Sequence, residues 1–205
     1  MARDRESRQP GTVAALILAA GESRRMGSPK PLLPLGDTSF LAGLLQQFLA
    51  SRARPVLVVL GHQAERIRKE VSLEKAAVVV NAEYRRGMLS SIRAGLRELG
   101  REPVSGALLC PVDHPCVSAA VVDLLISRFE ETRSPIIVPV HGGQRGHPVL
   151  FASSLFQEIR EAPDSVGARQ VVWDHADQVL EIPIEDPGII TDIDTPEQYQ
   201  RLIGS

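Results

Sequence analysis

The chain alternates short, almost wholly apolar runs with longer segments of helical periodicity. The apolar runs, each rich in Val, Ile, Leu or Ala, are Val13–Leu18, Val56–Leu60, Ala77–Val80, Ala107–Cys110 and Ile136–Val140. Strands that are apolar at successive positions are buried on both faces, which favours a parallel sheet covered by helices. Helical patterns lie at Ser39–Ser51, Ser90–Leu99, Ser118–Phe129, Ser153–Arg160, Ser165–His175 and Thr195–Ile203. The alternation predicts one α/β domain with a doubly wound, mostly parallel sheet and an antiparallel excursion in its second half.

Length and charge limit the classes of partner. The 205 residues fit one domain that buries a core without disulfide or metal staples. Lys and Arg number 23 against 25 Asp and Glu, a net charge of −2, so no nucleic-acid partner is expected. The two cysteines, Cys110 and Cys116, are too few for a disulfide framework, and the reducing cytoplasm is the expected compartment.

The amino-terminal segment places charged residues ahead of the apolar run Val13–Ala20. This run is far shorter than the roughly 20 residues that span a bilayer. Asp4 and Glu6 interrupt the arginines ahead of it, which is not typical of a signal peptide. We therefore expect a disordered leader at residues 1–11, a folded domain at residues 12–205 and no membrane segment.

A loop of small and basic residues follows the first predicted strand. In an open parallel sheet, ligands bind beyond the carboxyl ends of the strands. Ala19, Ala20 and Gly21 allow a ligand to approach the backbone. Arg24, Arg25 and Lys30 supply cations for a polyphosphate. The loop is neither a Walker A motif nor a dinucleotide fingerprint, which excludes a plain Rossmann-type dehydrogenase. An ordinary exposed turn remains the alternative on composition alone.

Carboxylates follow two further segments. Asp113 comes directly after the fourth apolar run and is too far from the helix beginning near Ser118 to cap it, which favours a divalent-metal ligand. Asp192 and Asp194 alternate around Ile193, so both would face one side of an extended segment. Because an acidic residue before Thr-Pro is also typical of a helix cap, the pattern leaves their role open.

These segments together resemble the MobA-like nucleotidyltransferase family, and most of all its molybdenum cofactor cytidylyltransferases. Residues 18–30 match every fixed position of the family's opening motif, Leu-Ala-Ala/Gly-Gly-x-Ser-x-Arg-Met-Gly-x-x-Lys. Further matches follow in the family's order at residues 81–96, 112–115, 145–151 and 192–197. The resemblance implies a Rossmann-like, single-domain fold of the nucleotide-diphospho-sugar transferase type.

The resemblance also implies a role for each matched residue. The nucleotide-binding residues would be Ala19, Ala20, Gly21, Ser23, Asn81, Gly87 and Ser91. The catalytic residues would be Arg25, Lys30 and Asp113, and Mg²⁺ would be held by Asp113 and Asp194 with Asp192 beside them. The acceptor would be met by His114, Arg145 and His147. His114 stands where the family has Gln or Met, and Val112 where it has Gly, so the acceptor pocket is expected to differ from that of better-known members.

The implied reaction transfers CMP from CTP to the phosphate of a molybdopterin-type acceptor and releases pyrophosphate. In the family, Ala at the position of Ala20 goes with CTP and Gly goes with GTP. The alternatives are a guanylyltransferase, a sugar- or polyol-phosphate nucleotidyltransferase, or a nucleotide-binding module without turnover. A molybdoenzyme or its chaperone is a further candidate partner.

Two features are interpreted as packing. Cys110 ends a predicted buried strand, and no Cys or His pair has the spacing of a zinc site. Trp173 follows Val171 and Val172 in a helical pattern and is expected in the core rather than at a ligand.

Overall fold

The computed structural model describes residues 11–101 and 103–204. Apart from Gly11, the expected leader at residues 1–11 lies outside the described residues. The first half forms β1 (Thr12–Ala19), β2 (Pro34–Leu35), β3 (Thr38–Ser39), α1 (Phe40–Ala50), β4 (Val56–Leu60), α2 (Ala64–Glu70), β5 (Ala77–Val80) and α3 (Met88–Leu99). The second half forms β6 (Val104–Pro111), α4 (Ala119–Thr132), β7 (Ile136–His141), β8 (Gln144–Arg145), β9 (Val149–Ala152), α5 (Phe156–Glu161), α6 (Arg169–Asp174), β10 (Val179–Pro183) and α7 (Pro196–Ile203).

The main sheet has the order β10-β7-β9-β6-β1-β4-β5, with β8 paired to β7. β1 pairs in parallel with β4 and β6, β4 with β5, and β7 with β10. β9 runs antiparallel to both of its neighbours, β6 and β7. The structure therefore confirms a mostly parallel α/β sheet with an antiparallel strand in the second half.

Helices cover both faces of this sheet. Along β1, Val13, Ala15 and Ile17 belong to one apolar cluster, which α1 and α4 complete, whereas Ala14, Leu16 and Leu18 belong to the cluster beneath α3 and α5. This division follows from the two-residue period of a strand. A Cβ on Gly95 of α3 would lie 2.9 Å from the methyl groups of Leu16, so this helix approaches the sheet more closely than an alanine would allow.

Strand register brings the ligand-facing loops to one edge. Ala19 of β1 pairs with Leu60 of β4, and Leu18 pairs with Pro111 of β6. All three strands end at this register, so the loops that follow them leave the sheet together. The Val112 N–H donates to the Leu18 carbonyl at 3.1 Å, which joins two of these loops at their roots.

Several local expectations needed correction. Serine is a common helix cap, but the Ser118 side chain makes no capping hydrogen bond at the start of α4; the Ala119 N–H donates to Gln47 Oε1 at 3.0 Å instead. The pattern at Ser165–His175 yields only the six-residue α6. Trp173 was expected in the core and this prediction is wrong, because its side chain is exposed at 55% while Val171 on the same short helix is buried. Across the described ranges, no helix has the length and apolarity to cross a bilayer.

Candidate active site

A cavity of about 450 Å³ opens at the carboxyl edge of the sheet. The sequence-predicted residues that line it are Ala19, Ala20, Gly21, Ser23, Arg25, Lys30, Gly87, Ser91, Asp113 and Asp194. Arg24, predicted as a further cation, lines it too, as do Tyr84 and Met88 of the matched segment at residues 81–96; Glu22 and Arg85 also line it and were given no role. The fold thus gathers residues from the loop after β1, the start of α3, the end of β6 and the segment before α7 into one cavity.

Ser23 closes the loop that follows β1. Its φ of +53° places it in the left-handed region, and its carbonyl accepts hydrogen bonds from the N–H groups of Met26 and Gly27 at 3.0 and 3.2 Å. Its hydroxyl accepts from the Lys30 N–H at 3.0 Å. The loop therefore folds back on itself and delivers Lys30 to the floor of the cavity.

Lys30 lies between two carboxylates. Its Nζ is 3.1 Å from Asp113 Oδ2 and 2.5 Å from Asp194 Oδ1, and the residue is only 9% exposed. A buried ammonium requires such partners, because an unpaired charge of this kind would be strongly destabilising.

Arg25 binds the same aspartate from the solvent side. Its Nη2 lies 2.6 Å from Asp194 Oδ2, and its side chain is 70% exposed. The hydrogen bond from Lys30 and the neighbouring Arg25 lower the pKa of the Asp194 carboxyl. Asp194 is therefore ionised at neutral pH, with one oxygen held by each cation.

Asp194 does not cap the last helix. Thr195 is the N-cap of α7, and its hydroxyl forms a capping box with Gln198. Gln198 Oε1 accepts the Asp194 N–H at 2.8 Å, which leaves the Asp194 carboxylate to face the cavity. Asp192 is exposed and is absent from the cavity lining, so its part in metal binding stays a prediction.

The donor set of Asp113 and Asp194 fits a divalent cation. Both carboxylates reach a single ammonium nitrogen, so they are close enough together to share one positive charge. Among the described residues, no group of three or more acidic, His or Cys side chains converges in a ready-made metal site. Mg²⁺ is usually held in this way by one or two carboxylates, with water and substrate phosphates supplying the other ligands.

Asn81 forms hydrogen bonds with the first turn of α3. It is buried, its Nδ2 donates to Ser90 Oγ at 2.8 Å and Ser91 Oγ at 3.0 Å, and its Oδ1 accepts from the Glu83 N–H at 2.9 Å. Asn81 is absent from the cavity lining, whereas Ser91 lines it. The contacts of Asn81 are therefore those of a residue that positions Ser91 and the turn ahead of α3.

Glu22 links two of the loops that line the cavity through ion pairs. Its carboxylate pairs with Arg24 in its own loop and with Arg85 Nε at 3.2 Å in the turn after β5. The hydrogen bond from Arg24 lowers the pKa of the Glu22 carboxyl. Arg85 could have been predicted from the sequence, because it lies two residues before Gly87 in the segment at residues 81–96 that the family resemblance associates with nucleotide binding.

The residues predicted to meet the acceptor lie at or beside a second cavity, of about 500 Å³. Arg145 and His147 line it, and the His114 ring contacts that of His147 in a tilted arrangement, with centroids 4.5 Å apart and planes at 55°. Burial lowers the pKa of both imidazoles, that of His147 to about 4. Arg145 forms an ion pair with Glu181 at 2.7 Å. Leu18, Met88 and Pro111 line both cavities, so the two are contiguous.

An open α/β sheet that presents a turned loop, a buried ammonium and two carboxylates at its carboxyl edge has the parts that bind and polarise a polyphosphate. The protein is a nucleotidyltransferase with the nucleotide-diphospho-sugar transferase fold. Within this class the chain belongs to the family of the MobA-like NTP transferase domain, whose model matches residues 15–179.

The relatives cover nearly the whole chain. It is 26% identical to the molybdenum cofactor cytidylyltransferase of Escherichia coli K12 over 190 residues, 91% of this chain and 93% of that protein. It is 29% identical to the nicotine blue oxidoreductase of Paenarthrobacter nicotinovorans over 203 residues, 93% of this chain and 96% of that protein. The crystal structure of the manganese complex of Rv0371C from Mycobacterium tuberculosis H37Rv superposes with a TM-score of 0.78 at 27% identity, covering 95% of this chain and 99% of that one.

Proposed function

We propose that this protein is a Mg²⁺-dependent cytidylyltransferase of the cytoplasm, which transfers CMP from CTP to the phosphate of a molybdopterin-type acceptor. The observation that carries the proposal is the position of Lys30 between Asp113 and Asp194 on the cavity floor. The sequence similarity to a molybdenum cofactor cytidylyltransferase supports the choice of reaction, and the manganese complex of Rv0371C supports a divalent metal.

The carboxylates and the cations have separate tasks. Asp113 and Asp194 would hold the metal, while Lys30 and Arg25, released from them, would bind phosphate oxygens of the nucleotide. A bound Mg²⁺ supplies charge neutralisation at the transferring phosphoryl group and orients it. The small residues Ala19, Ala20 and Gly21 at the start of the loop after β1 would leave the backbone open to the nucleotide.

The transfer needs positioning more than proton removal. A phosphate oxygen of the acceptor attacks the α-phosphorus of CTP, the bond from that phosphorus to the bridging oxygen breaks, and pyrophosphate leaves with the bond's electron pair. Because a phosphate monoester is already an anion near neutral pH, no general base is required. Lys30 and Arg25 lower the repulsion between the two anionic reactants.

The choice of CTP depends on Ala20. Ala20 is one of the residues that line the cavity, and its carbonyl accepts a hydrogen bond from the His62 N–H at 3.0 Å. A methyl group at this position narrows the cavity relative to glycine, which favours the smaller pyrimidine ring. GTP remains the second candidate nucleotide, and a molybdoenzyme or its chaperone remains a candidate for receiving the product.

The test is pyrophosphate release with Mg²⁺, comparing CTP with GTP and with molybdenum cofactor as acceptor. Release with CTP that is lost in Asp113→Asn and kept in Glu131→Gln, an exposed substitution on α4, would support the proposal. Preference for GTP would overturn the assignment of the base. Nucleotide binding without pyrophosphate from any acceptor would indicate a binding module instead.

A further inference from the structure

The charged side chains that line the first cavity form two ion-pair groups. The first group, to which the metal and the phosphates are assigned above, contains Arg25, Lys30, Asp113 and Asp194. The second group contains Glu22, Arg24 and Arg85. In this second group one carboxylate pairs with two guanidinium groups, which come from the loop after β1 and from the turn ahead of α3. Neither Glu22 nor Arg85 has a part in the transfer proposed above.

Glu22 places a negative charge in a cavity that is proposed to bind a polyanion. Its side chain is only 18% exposed, whereas those of Arg24 and Arg85 are 82% and 76% exposed. The carboxyl is ionised at neutral pH, because the hydrogen bond from Arg24 lowers its pKa. Since like charges repel, this carboxylate opposes the binding of a nucleotide. An attraction of Glu22 for the nucleotide therefore does not explain its position.

The ion pairs of Glu22 are of a kind that a nucleotide can displace. Exposed ion pairs contribute little to stability, because water screens both charges. A guanidinium group binds a phosphate with the same paired hydrogen bonds with which it binds a carboxylate. A triphosphate carries several negative charges and Glu22 carries one, so the nucleotide attracts Arg24 and Arg85 more strongly than the carboxylate does.

Arg85 is kept at the cavity by the aromatic ring beside it. Its guanidinium carbon lies 5.7 Å from the centroid of the Tyr84 ring, within the range of a cation–π contact, and both residues line the cavity. Tyr84 in turn packs closely against the loop after β4, where a Cβ on Gly61 would lie 2.7 Å from the Tyr84 Cβ. Arg85 therefore stays within reach of a ligand in this cavity when its guanidinium group leaves Glu22.

We propose that Arg85 is a further phosphate-binding residue of the first cavity, and that Glu22 competes with the nucleotide for Arg85 and Arg24. The inference rests on the proposed function, since it concerns the nucleotide of the same site. Binding moves both guanidinium groups from the carboxylate to phosphate oxygens, and the departure of pyrophosphate returns them to Glu22. Glu22 thereby weakens the binding of substrate and product alike and favours the release of pyrophosphate.

Calorimetric titration with inorganic pyrophosphate and Mg²⁺, and separately with CTP and Mg²⁺, tests this exchange without turnover. Glu22→Gln should lower both Kd values about three- to tenfold, because the two arginines lose their competitor. Arg85→Gln should raise both Kd values about threefold or more, and Arg85→Lys, which keeps the charge, should raise them less. The matched controls are Glu98→Gln and Arg101→Gln, which break an exposed ion pair outside both cavities and should bind as wild type.

The direction of the Glu22 effect distinguishes competition from support. If Glu22 only held the arginines in place for the nucleotide, Glu22→Gln would bind more weakly, and that result or an unchanged Kd overturns the proposal. An unchanged Kd in Arg85→Gln overturns it as well. In the double variant Glu22→Gln/Arg85→Gln, the gain from removing the carboxylate should shrink. An undiminished gain would mean that Glu22 simply repels the nucleotide, which also contradicts the exchange.

The same measurements separate this inference from the proposed function. Pyrophosphate release by the wild type, with Kd values that do not change in the Glu22 and Arg85 variants, overturns the inference alone. Absence of pyrophosphate release with every acceptor, with the expected changes in Kd, overturns the transfer alone. Failure of the wild type to bind either pyrophosphate or CTP overturns both.

Discussion

The backbone N–H of Ile193 donates to the carbonyl oxygen of Asp113 at 2.9 Å. This bond joins the loop after β6 to the segment before α7, although the two are far apart in sequence. It holds the backbone of Asp113 next to the residue that precedes Asp194, and it involves neither carboxylate side chain. In the proposed reaction, this bond would keep the backbone of Asp113 near that of Asp194 when a metal ion takes the place of Lys30 between them.

Replacing Lys30 should affect turnover more than folding. In Lys30→Met we expect kcat/KM to fall on the order of 100-fold, because one charged donor to the transferring phosphates is lost. The melting temperature should fall by only a few degrees, since Arg25 still neutralises Asp194. Steady-state pyrophosphate release beside a thermal melt measures both. Lys69→Met, on the exposed face of α2, is the control, and equal loss in both variants would contradict the assignment.

Removing either candidate metal ligand should weaken metal binding directly. Asp113→Asn and Asp194→Asn should each lower the affinity for Mn²⁺ in the presence of CTP by about tenfold or more, because an anionic oxygen ligand is replaced by a neutral amide. Paramagnetic resonance of free Mn²⁺ measures this without turnover. Asp37→Asn, in the exposed turn between β2 and β3, should bind as wild type. Unchanged affinity in both site variants would place the metal elsewhere.

Asn81→Ala should destabilise the protein and weaken nucleotide binding together. The substitution removes the hydrogen bonds of Asn81 to the Ser91 hydroxyl and the Glu83 N–H, and one of several hydrogen bonds at the Ser90 hydroxyl, at a cost of about 1–3 kcal/mol in the free energy of unfolding. Displacement of Ser91 should raise the Kd for CTP several-fold. Denaturant unfolding and calorimetric titration measure the two effects. The control is Gln157→Ala, at an exposed position of α5. A normal Kd at reduced stability would restrict Asn81 to folding.

His147 should make stability depend on pH. Burial lowers its pKa from 6.5 to about 4 in the folded protein. Between these values the unfolded chain takes up a proton that the folded protein does not, so the free energy of unfolding falls as the pH falls from 6.5 to 4, by up to about 3 kcal/mol from this group. His147→Gln should flatten this decline. His114, whose pKa is also lowered, maintains part of it. An identical pH profile in the variant would show that the pKa of His147 is the same in the folded and the unfolded chain, which would contradict the effect of burial.

The strands β1, β4, β5, β6 and β7 were predictable because each contains an almost wholly apolar run, and α1, α3 and α4 were predictable from their periodicity. The helix α2 was missed because only Ala64 and Ile67 of its seven residues are buried. The contact of Lys30 with both Asp113 and Asp194 could not be derived, because such pairs depend on how distant loops meet. Trp173 was predicted to be buried because Val171 and Val172 precede it in a helical pattern. The helix α6 has only six residues and buries Val171, so the indole remains exposed.

The reversed strand β9 changes which loops can reach the ligand. Val149, at the start of β9, pairs with Leu109 near the end of β6. The amino end of β9 therefore lies at the edge of the sheet where the parallel strands have their carboxyl ends. The connection from β7 to β9, which contains Arg145 and His147, lies at this same edge. Insertions or deletions in this connection can reshape the acceptor cavity while the parallel strands that carry the nucleotide loops stay in register. Under the proposed function, the one reversed strand would separate the loops that select the acceptor from the loops that bind the nucleotide.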